Sequence, residues 1–284
     1  MLATLTALAL SLSTALAVEL STVDPARTGA GIMQFKGPHR YARVEETGTL
    51  VITIGGTGSR PDEFARVHGW AAQLGHDVWA LDYFNGVICT TCRTHTDPTC
   101  FDRYRRELMV GDTLSEIVTL DEANAILPRL RALAGYLASR HSYWRRYWTG
   151  SDLRWDRVML VGHSQGAGHV AFLAKLVSVK RVIMTGGPHD VGPNGAGTWL
   201  SAPGATPLAN YRSLLHRDDF FGAASQLAAV RLLMGQDYEP TMVDRSVPAD
   251  AGPVLMATMA HRDPHNSLQR EEFVGIWRWL LGER

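Results

Sequence analysis

The chain has 284 residues, 45% of them hydrophobic, and 28 basic side chains balance 28 acidic ones. That is enough apolar material for a buried core, and the cancelled charge leaves no electrostatic case for a nucleic-acid or membrane-surface partner.

In chain order, residues 1–18 carry no charged side chain, are rich in Leu and Ala, and contain Ala15-Leu16-Ala17. This small-x-small ending predicts a signal peptide over 1–17, export, and a mature single α/β domain over 18–284. No later stretch is apolar and long enough to span a bilayer, so stable membrane insertion is not expected. Residues 31–35 and 41–45, separated by Gly37-Pro38, predict an opening hairpin. A β-branched strand follows over 50–54, then Gly55-Gly56-Thr57-Gly58, a helix over 61–74 and a strand over 78–81. Cys89, Cys92 and Cys100 fall in a polar segment with Asp97-Pro98 that reads as a loop. With His95 they have a zinc-like spacing, but in an exported chain a local disulfide is the simpler outcome. Cys100 is the expected shared partner, because two residues between Cys89 and Cys92 would make a strained ring; whether Cys89 or Cys92 joins it stays open. Residues 115–140 predict a long helix kinked at Pro128, and 158–161 a strand running into a helix from residue 167. Strands over 181–184, 211–215 and 253–258, a helix over 223–234 and a terminal helix over 267–281 complete the pattern. Such alternation implies an α/β fold with a mostly parallel central sheet and helices on both faces.

Function in such a sheet collects at the carboxyl ends of its strands. Gly162-His163-Ser164-Gln165-Gly166 sits there, between an apolar strand and an amphipathic helix. The pentapeptide alone is common; between strand and helix it predicts a sharp turn that projects the Ser164 hydroxyl as a nucleophile. Gly55-Gly56-Thr57-Gly58 lacks the spacing and the lysine of a nucleotide loop. It suits an oxyanion hole, in which an N–H of Gly56 or Thr57 joins that of Gln165. A serine needs a base. Of eleven histidines, His261 and His265 follow the last predicted strand, and His265, on the Pro264-stiffened loop before the terminal helix, is favoured. The base needs a carboxylate, and two loops offer one: Asp219 is favoured, with Asp218 and Asp190 as alternatives. His163 and His169 read as packing or surface residues. Residues 193–211, with Trp199 and Leu200, suggest a rim or lid. The aromatic cluster Tyr143, Trp144, Tyr147, Trp148 and Trp155 reads as core filling rather than a substrate platform.

The order of Gly-rich turn, GHSQG elbow, aspartate loop and late histidine resembles the α/β-hydrolase superfamily over nearly the whole mature chain. IGGTGSRPDEF, LDYFN followed by cysteines, GHSQGAGHV, GGPHD and HRDDFFG bring it nearer a secreted subgroup of those hydrolases. The resemblance implies a Ser-His-Asp hydrolase with Ser164, His265 and Asp219 in the triad positions; the doubled aspartate departs from the usual pattern and keeps Asp218 in play. Carboxylic esters are the expected small-molecule substrates, and no metal or organic cofactor is required. Peptidase or acyltransferase chemistry would use the same triad, and a non-catalytic binding protein on this fold is the remaining alternative.

Overall fold

Leu50, Ile52 and Ile54 pack into one apolar layer and Val51 into another, and this two-residue alternation divides the core between the two faces of a sheet. The computed structural model describes residues 18–44, 46–235 and 238–283; the leader expected over 1–17 lies outside them. The strands are β1 (Ser21–Val23), β2 (His39–Ala42), β3 (Leu50–Ile54), β4 (Asp77–Ala80), β5 (Val158–His163), β6 (Arg181–Thr185), β7 (Val191–Gly192), β8 (Gly195–Ala196), β9 (Tyr211–His216), β10 (Thr241–Val243) and β11 (Val254–Ala257). The helices are α1 (Ala65–Gln73), α2 (Cys100–Val110), α3 (Ile126–Arg140), α4 (Gln165–Leu176), α5 (Ala223–Met234), α6 (Pro264–Ser267) and α7 (Val274–Leu281). Nine strands form one sheet in the order β1-β2-β4-β3-β5-β6-β9-β11-β10, while β7 and β8 pair separately. β1 and β2 join antiparallel, and every pair from β4 to β10 is parallel. Apolar side chains of α3, α4 and α5 cover one face, and those of α1 and α7 the other. Among the described residues no helix is long and apolar enough to cross a membrane.

Several boundaries differ from expectation, and in most the cause is a buried side chain that captures backbone. Residues 31–35 are not a strand; β2 pairs with β1 instead. The Asp82 carboxylate takes the N–H groups of Phe35, Lys36 and Gly37, and Asn124 takes that of Met33, so this stretch cannot feed a ladder. The helix expected from residue 115 begins at Ile126, because Glu107 accepts from the N–H groups of Leu114 and Leu120 and holds that stretch as a loop. Pro128 therefore lies in the first turn of α3, where its missing N–H costs nothing, rather than at a kink. The segment read as a cysteine loop is a short 3-10 turn, Cys89–Thr94, followed by α2. Cys92 is the partner of Cys100, and Cys89 remains a buried thiol whose pKa burial pushes up to about 12. The short edge strand β10 was not foreseen, and it makes β9 the third strand from the end. The terminal helix is broken into α6, a 3-10 turn and α7.

The aromatic cluster before β5 lies at the opposite end of the sheet from the strand carboxyl ends. Trp144 packs on Trp79, and the Tyr143 and Tyr147 hydroxyls both donate to Asp77 at the start of β4. It is core and docking, as its composition suggested.

Three histidines are packed into this framework as neutral rings. Burial, helped by Arg129, holds His39 down to about 3; burial, helped by Arg40, does the same to His68; and burial with Arg105 holds His169 well below its usual value. Each ring resists protonation when folded but accepts a proton near pH 6.5 once unfolded. Stability is therefore greatest above pH 6.5 and is lost as pH falls from there toward 3, by about 1.4 kcal/mol per pH unit for each ring. Thermal melts should show the midpoint falling by at least about 5 °C between pH 7 and pH 5; a flat profile would contradict neutral burial of these rings.

Candidate active site

β5 ends at His163 and α4 begins at Gln165, so the reversal falls on Ser164, which adopts φ 56° and ψ −123°. This left-handed backbone costs a non-glycine residue on the order of 1–3 kcal/mol and persists only where its surroundings dictate it. They do. A Cβ on Gly162 would run into the carbonyl of Gly166, and one on Gly166 into the carbonyl of Ile54, so the bare backbones of β3, β5 and α4 press together around the serine. The Ser164 N–H donates to Thr185 O at 2.8 Å, and its carbonyl accepts from Ala167 N at 3.0 Å.

The turn after β3 lies directly against this elbow: a Cβ on Gly56 would stand 2.9 Å from Ser164 Cβ and 3.4 Å from its Oγ. Three residues outside the expected constellation orient that turn. Tyr83 Oη donates to Gly55 O at 2.6 Å, while Asn85 Nδ2 and Ser59 Oγ hold Gly56 O at 3.0 and 2.8 Å. In a trans peptide the C=O and N–H point opposite ways, so tying down these carbonyls also aims the N–H groups of Gly56 and Thr57. Thr57 Oγ1 and Cys89 N both donate to Gln165 Oε1, at 2.8 and 3.1 Å. Gly56, Thr57 and Gln165 thus surround one side of Ser164. Tyr83 and Asn85 belong to LDYFN, a stretch that the sequence marked by resemblance and by its position after a strand, without giving either residue a role.

His265 lies in α6, which Asp263 caps by accepting from Asn266 N and whose first turn Pro264 stiffens. Its Nδ1 is 2.7 Å from Asp219 Oδ2. Asp219 sits in the turn after β9, where the Phe221 N–H donates to its other oxygen at 2.9 Å. Burial works to raise the Asp219 pKa, but the hydrogen bonds from His265 and Phe221 hold it below the usual carboxylate range. An ionised Asp219 accepts a hydrogen bond from Nδ1–H, the tautomer that leaves the lone pair of His265 on Nε2. Asp218, next door, points outward and pairs with Arg217. His261 turns away to Glu272 and Phe273.

Asp190 has another partner. The fully buried Arg105 donates from Nε and a terminal nitrogen to both its oxygens, at 2.8 and 2.6 Å, and also to Gln165 O and His169 Nδ1. A Cβ on Gly168 would occupy the guanidinium position, so that glycine makes the room. Trp199 Nε1 completes the Asp190 shell at 3.1 Å. This overturns the rim or lid suggested for 193–211 in its central part, because Trp199 and Leu200 are buried against the α2–α4 layer and Asp102 accepts from the Thr198 and Trp199 N–H groups. Nothing in the sequence marked Arg105.

Two further histidines flank His265, with ring centroids 4.7 Å away for His163 and 5.8 Å for His189. Burial, aided by the charge of His265, lowers His163 to about 3 and His189 to about 4, so both stay neutral and add no permanent positive charge beside His265. His163 is held by Thr185 Oγ1 at 3.0 Å and Asn266 Oδ1 at 3.3 Å. Ser164 and His265 line one cavity of about 200 Å³. Among the described residues no cluster of three or more His, Cys, Asp or Glu is arranged to hold a metal ion.

The chain matches no family model and no curated protein. Among solved structures it is similar to esterase B from Lactobacillus rhamnosis, at 12% identity and a TM-score of 0.53 over 93% of this chain and 84% of that one. It is also similar to a dienelactone hydrolase from Anabaena variabilis, at 13% identity and 0.50 over 94% and 96% of the two chains. A hormone-sensitive lipase from a metagenome library matches at 14% identity and 0.50 over 94% and 83%. At these identities the likeness is one of fold, and the chain has the α/β-hydrolase fold.

The Arg105–Asp190 pair separates a structural from a chemical role for Asp190. Removing one partner of a fully buried ion pair leaves an uncompensated charge, so Arg105→Met should cost about 3–5 kcal/mol in urea denaturation. The double variant Arg105→Met/Asp190→Asn should recover part of that loss. A single variant as stable as wild type would contradict this role.

Proposed function

We propose that the protein is a serine hydrolase that cleaves carboxylic esters of small molecules through an acyl-enzyme. The observation that carries the reading is the hydrogen bond from His265 Nδ1 to Asp219, in a cavity that also exposes Ser164 at the tip of a strained elbow. In the first step His265 Nε2 takes the Ser164 proton as Oγ bonds to the ester carbonyl carbon. Asp219 keeps the ring in the correct tautomer and offsets the imidazolium charge. The N–H groups of Gln165 and of Gly56 or Thr57 stabilise the oxyanion, a role supported by the Tyr83 and Asn85 hydrogen bonds that hold the Gly55 and Gly56 carbonyls. The intermediate collapses with breakage of the ester C–O bond, and the imidazolium returns its proton to the departing alcohol. Water then repeats the sequence on the acyl-enzyme and frees the acid. Every proton is carried by His265, and the scheme calls on no metal or organic cofactor.

The protein acts, in this proposal, after export as a member of a secreted subgroup of α/β-hydrolases carrying the GHSQG elbow. The Cys92–Cys100 disulfide supports an oxidising destination.

The test is labelling of purified protein with a fluorophosphonate, with the adduct located by mass spectrometry. A single adduct on Ser164, absent from Ser164→Ala, is expected. Asp219→Asn should slow ester hydrolysis by about 10³–10⁴-fold, by presenting the wrong tautomer of the base, whereas Asp218→Asn should stay within about twofold. Absence of labelling in folded protein, or equal effects of the two aspartate variants, would overturn the assignment.

A further inference from the structure

The cavity over Ser164 has two chemically different walls, and contacts made away from the serine show which segments form each. The turn carrying Ser59, Glu63 and Phe64 stands beside α6, since His163 contacts the Phe64 ring and hydrogen-bonds Asn266. Asn266 and Gln269 extend this wall. Ile88 also lines the cavity, and Arg93, five residues on in the same segment, reaches Phe221 O and Ser225 Oγ, at 3.4 and 3.2 Å, so this segment adjoins the turn that carries Phe221. Phe221 lines that side, and Phe220, 62% exposed with its ring 4.6 Å from that of Phe221, continues the apolar surface outward.

The first wall has hydrogen-bonding capacity to spare. Neither the exposed Glu63 carboxylate nor the half-buried Gln269 side-chain amide hydrogen-bonds or ion-pairs with another described residue, although both line the cavity, as does the ring of the otherwise buried Phe64. A carboxylate beside a primary amide offers acceptors and donors together, the combination that adjacent hydroxyl groups satisfy. A carboxylate alone would suit a cation equally well; the amide donors favour hydroxyls. The second wall offers only apolar contact, and two phenylalanines in series suit a short aliphatic chain.

We infer that the site recognises esters joining a hydroxyl-rich alcohol to a short apolar acyl group. Glu63 and Gln269 receive the polyol, and Ile88, Phe221 and Phe220 receive the acyl chain. This rests on the ester-hydrolase reading above and names the two halves of its substrate. Glu63 also disfavours substrates that carry a carboxylate on the alcohol side, through like-charge repulsion.

The experiment uses three butyrate esters that differ in the alcohol: 2,3-dihydroxypropyl, propyl and the cationic choline ester. Two readouts are taken in parallel: kcat/KM for wild type, and the dissociation constant for full-length Ser164→Ala from NMR titration, which needs no turnover. The dihydroxypropyl ester should be preferred over the propyl ester by about tenfold in both, the scale of one or two hydrogen bonds. That ratio should fall toward one in Gln269→Leu and in Glu63→Leu. Phe220→Ser, at an exposed position that folding does not need, should weaken all three esters together. Equal binding of dihydroxypropyl and propyl esters to Ser164→Ala, or preference for the choline ester, would overturn the inference. If Ser164→Ala prefers the dihydroxypropyl ester while wild type cleaves none of the three, the hydrolase reading fails and the recognition stands.

Discussion

The contact on which the other features of the site depend is the approach of three backbones where β5 turns into α4. With no side chain at Gly162 or Gly166, the elbow can lie against the end of β3, and no larger residue fits at either position. From that contact the geometry propagates outward. The turn after β3 is brought against Ser164, the first peptides of α4 face the same space, and the serine is forced into a backbone region it would not choose. The strain is sustained because β3, β5 and β6 are buried central strands whose register is settled by long parallel ladders.

Around this point the buried charges are divided between tasks that the chain separates with care. Arg105 neutralises Asp190 and at the same time supports the carbonyl of Gln165, so the base of α4 rests on an ion pair that never meets solvent. Such a pair is costly to desolvate, and its worth lies in fixing how α2, α4 and the segment carrying Trp199 sit together. Asp219, by contrast, has no guanidinium partner among the described residues. An imidazole shares it instead, with His265 Nδ1 2.7 Å from its Oδ2. His163 and His189, kept neutral by burial, lie beside that imidazole.

The disulfide segment joins the two sides of the cavity. Its Cys89 N–H holds the Gln165 side chain, which also receives Thr57, and its Arg93 reaches the turn after Asp219. The Cys92–Cys100 bond ties this short turn to α2, the helix that supplies Arg105. One surface loop is thereby coupled to the elbow and to the aspartate turn, and it lends Ile88 to the apolar wall between them.

Much of the architecture was legible from local pattern. β3, buried on both sides, showed as a short run rich in β-branched residues, α5 showed its bounds residue for residue, and strand–turn–helix around Ser164 followed from glycine spacing and apolar flanks. These are short-range properties, because neighbours in sequence decide strand, turn and helix before distant contacts form. What the sequence could not decide was which distant groups meet. Asp190, Asp218 and Asp219 have the same side chain in similar loops; only the packed structure gives one to Arg105, one to solvent and one to His265. The same holds for Cys89 against Cys92, and for the stretches that Asp82 and Glu107 hold out of strand and helix. Hydrogen bonds across tens of residues carry no periodicity, so composition and spacing leave no trace of them. By itself the sequence determined the alternation of strands and helices and the candidates at strand ends; tertiary structure alone decided their partners, since each partnership depends on distances that exist only after the sheet has closed its two layers.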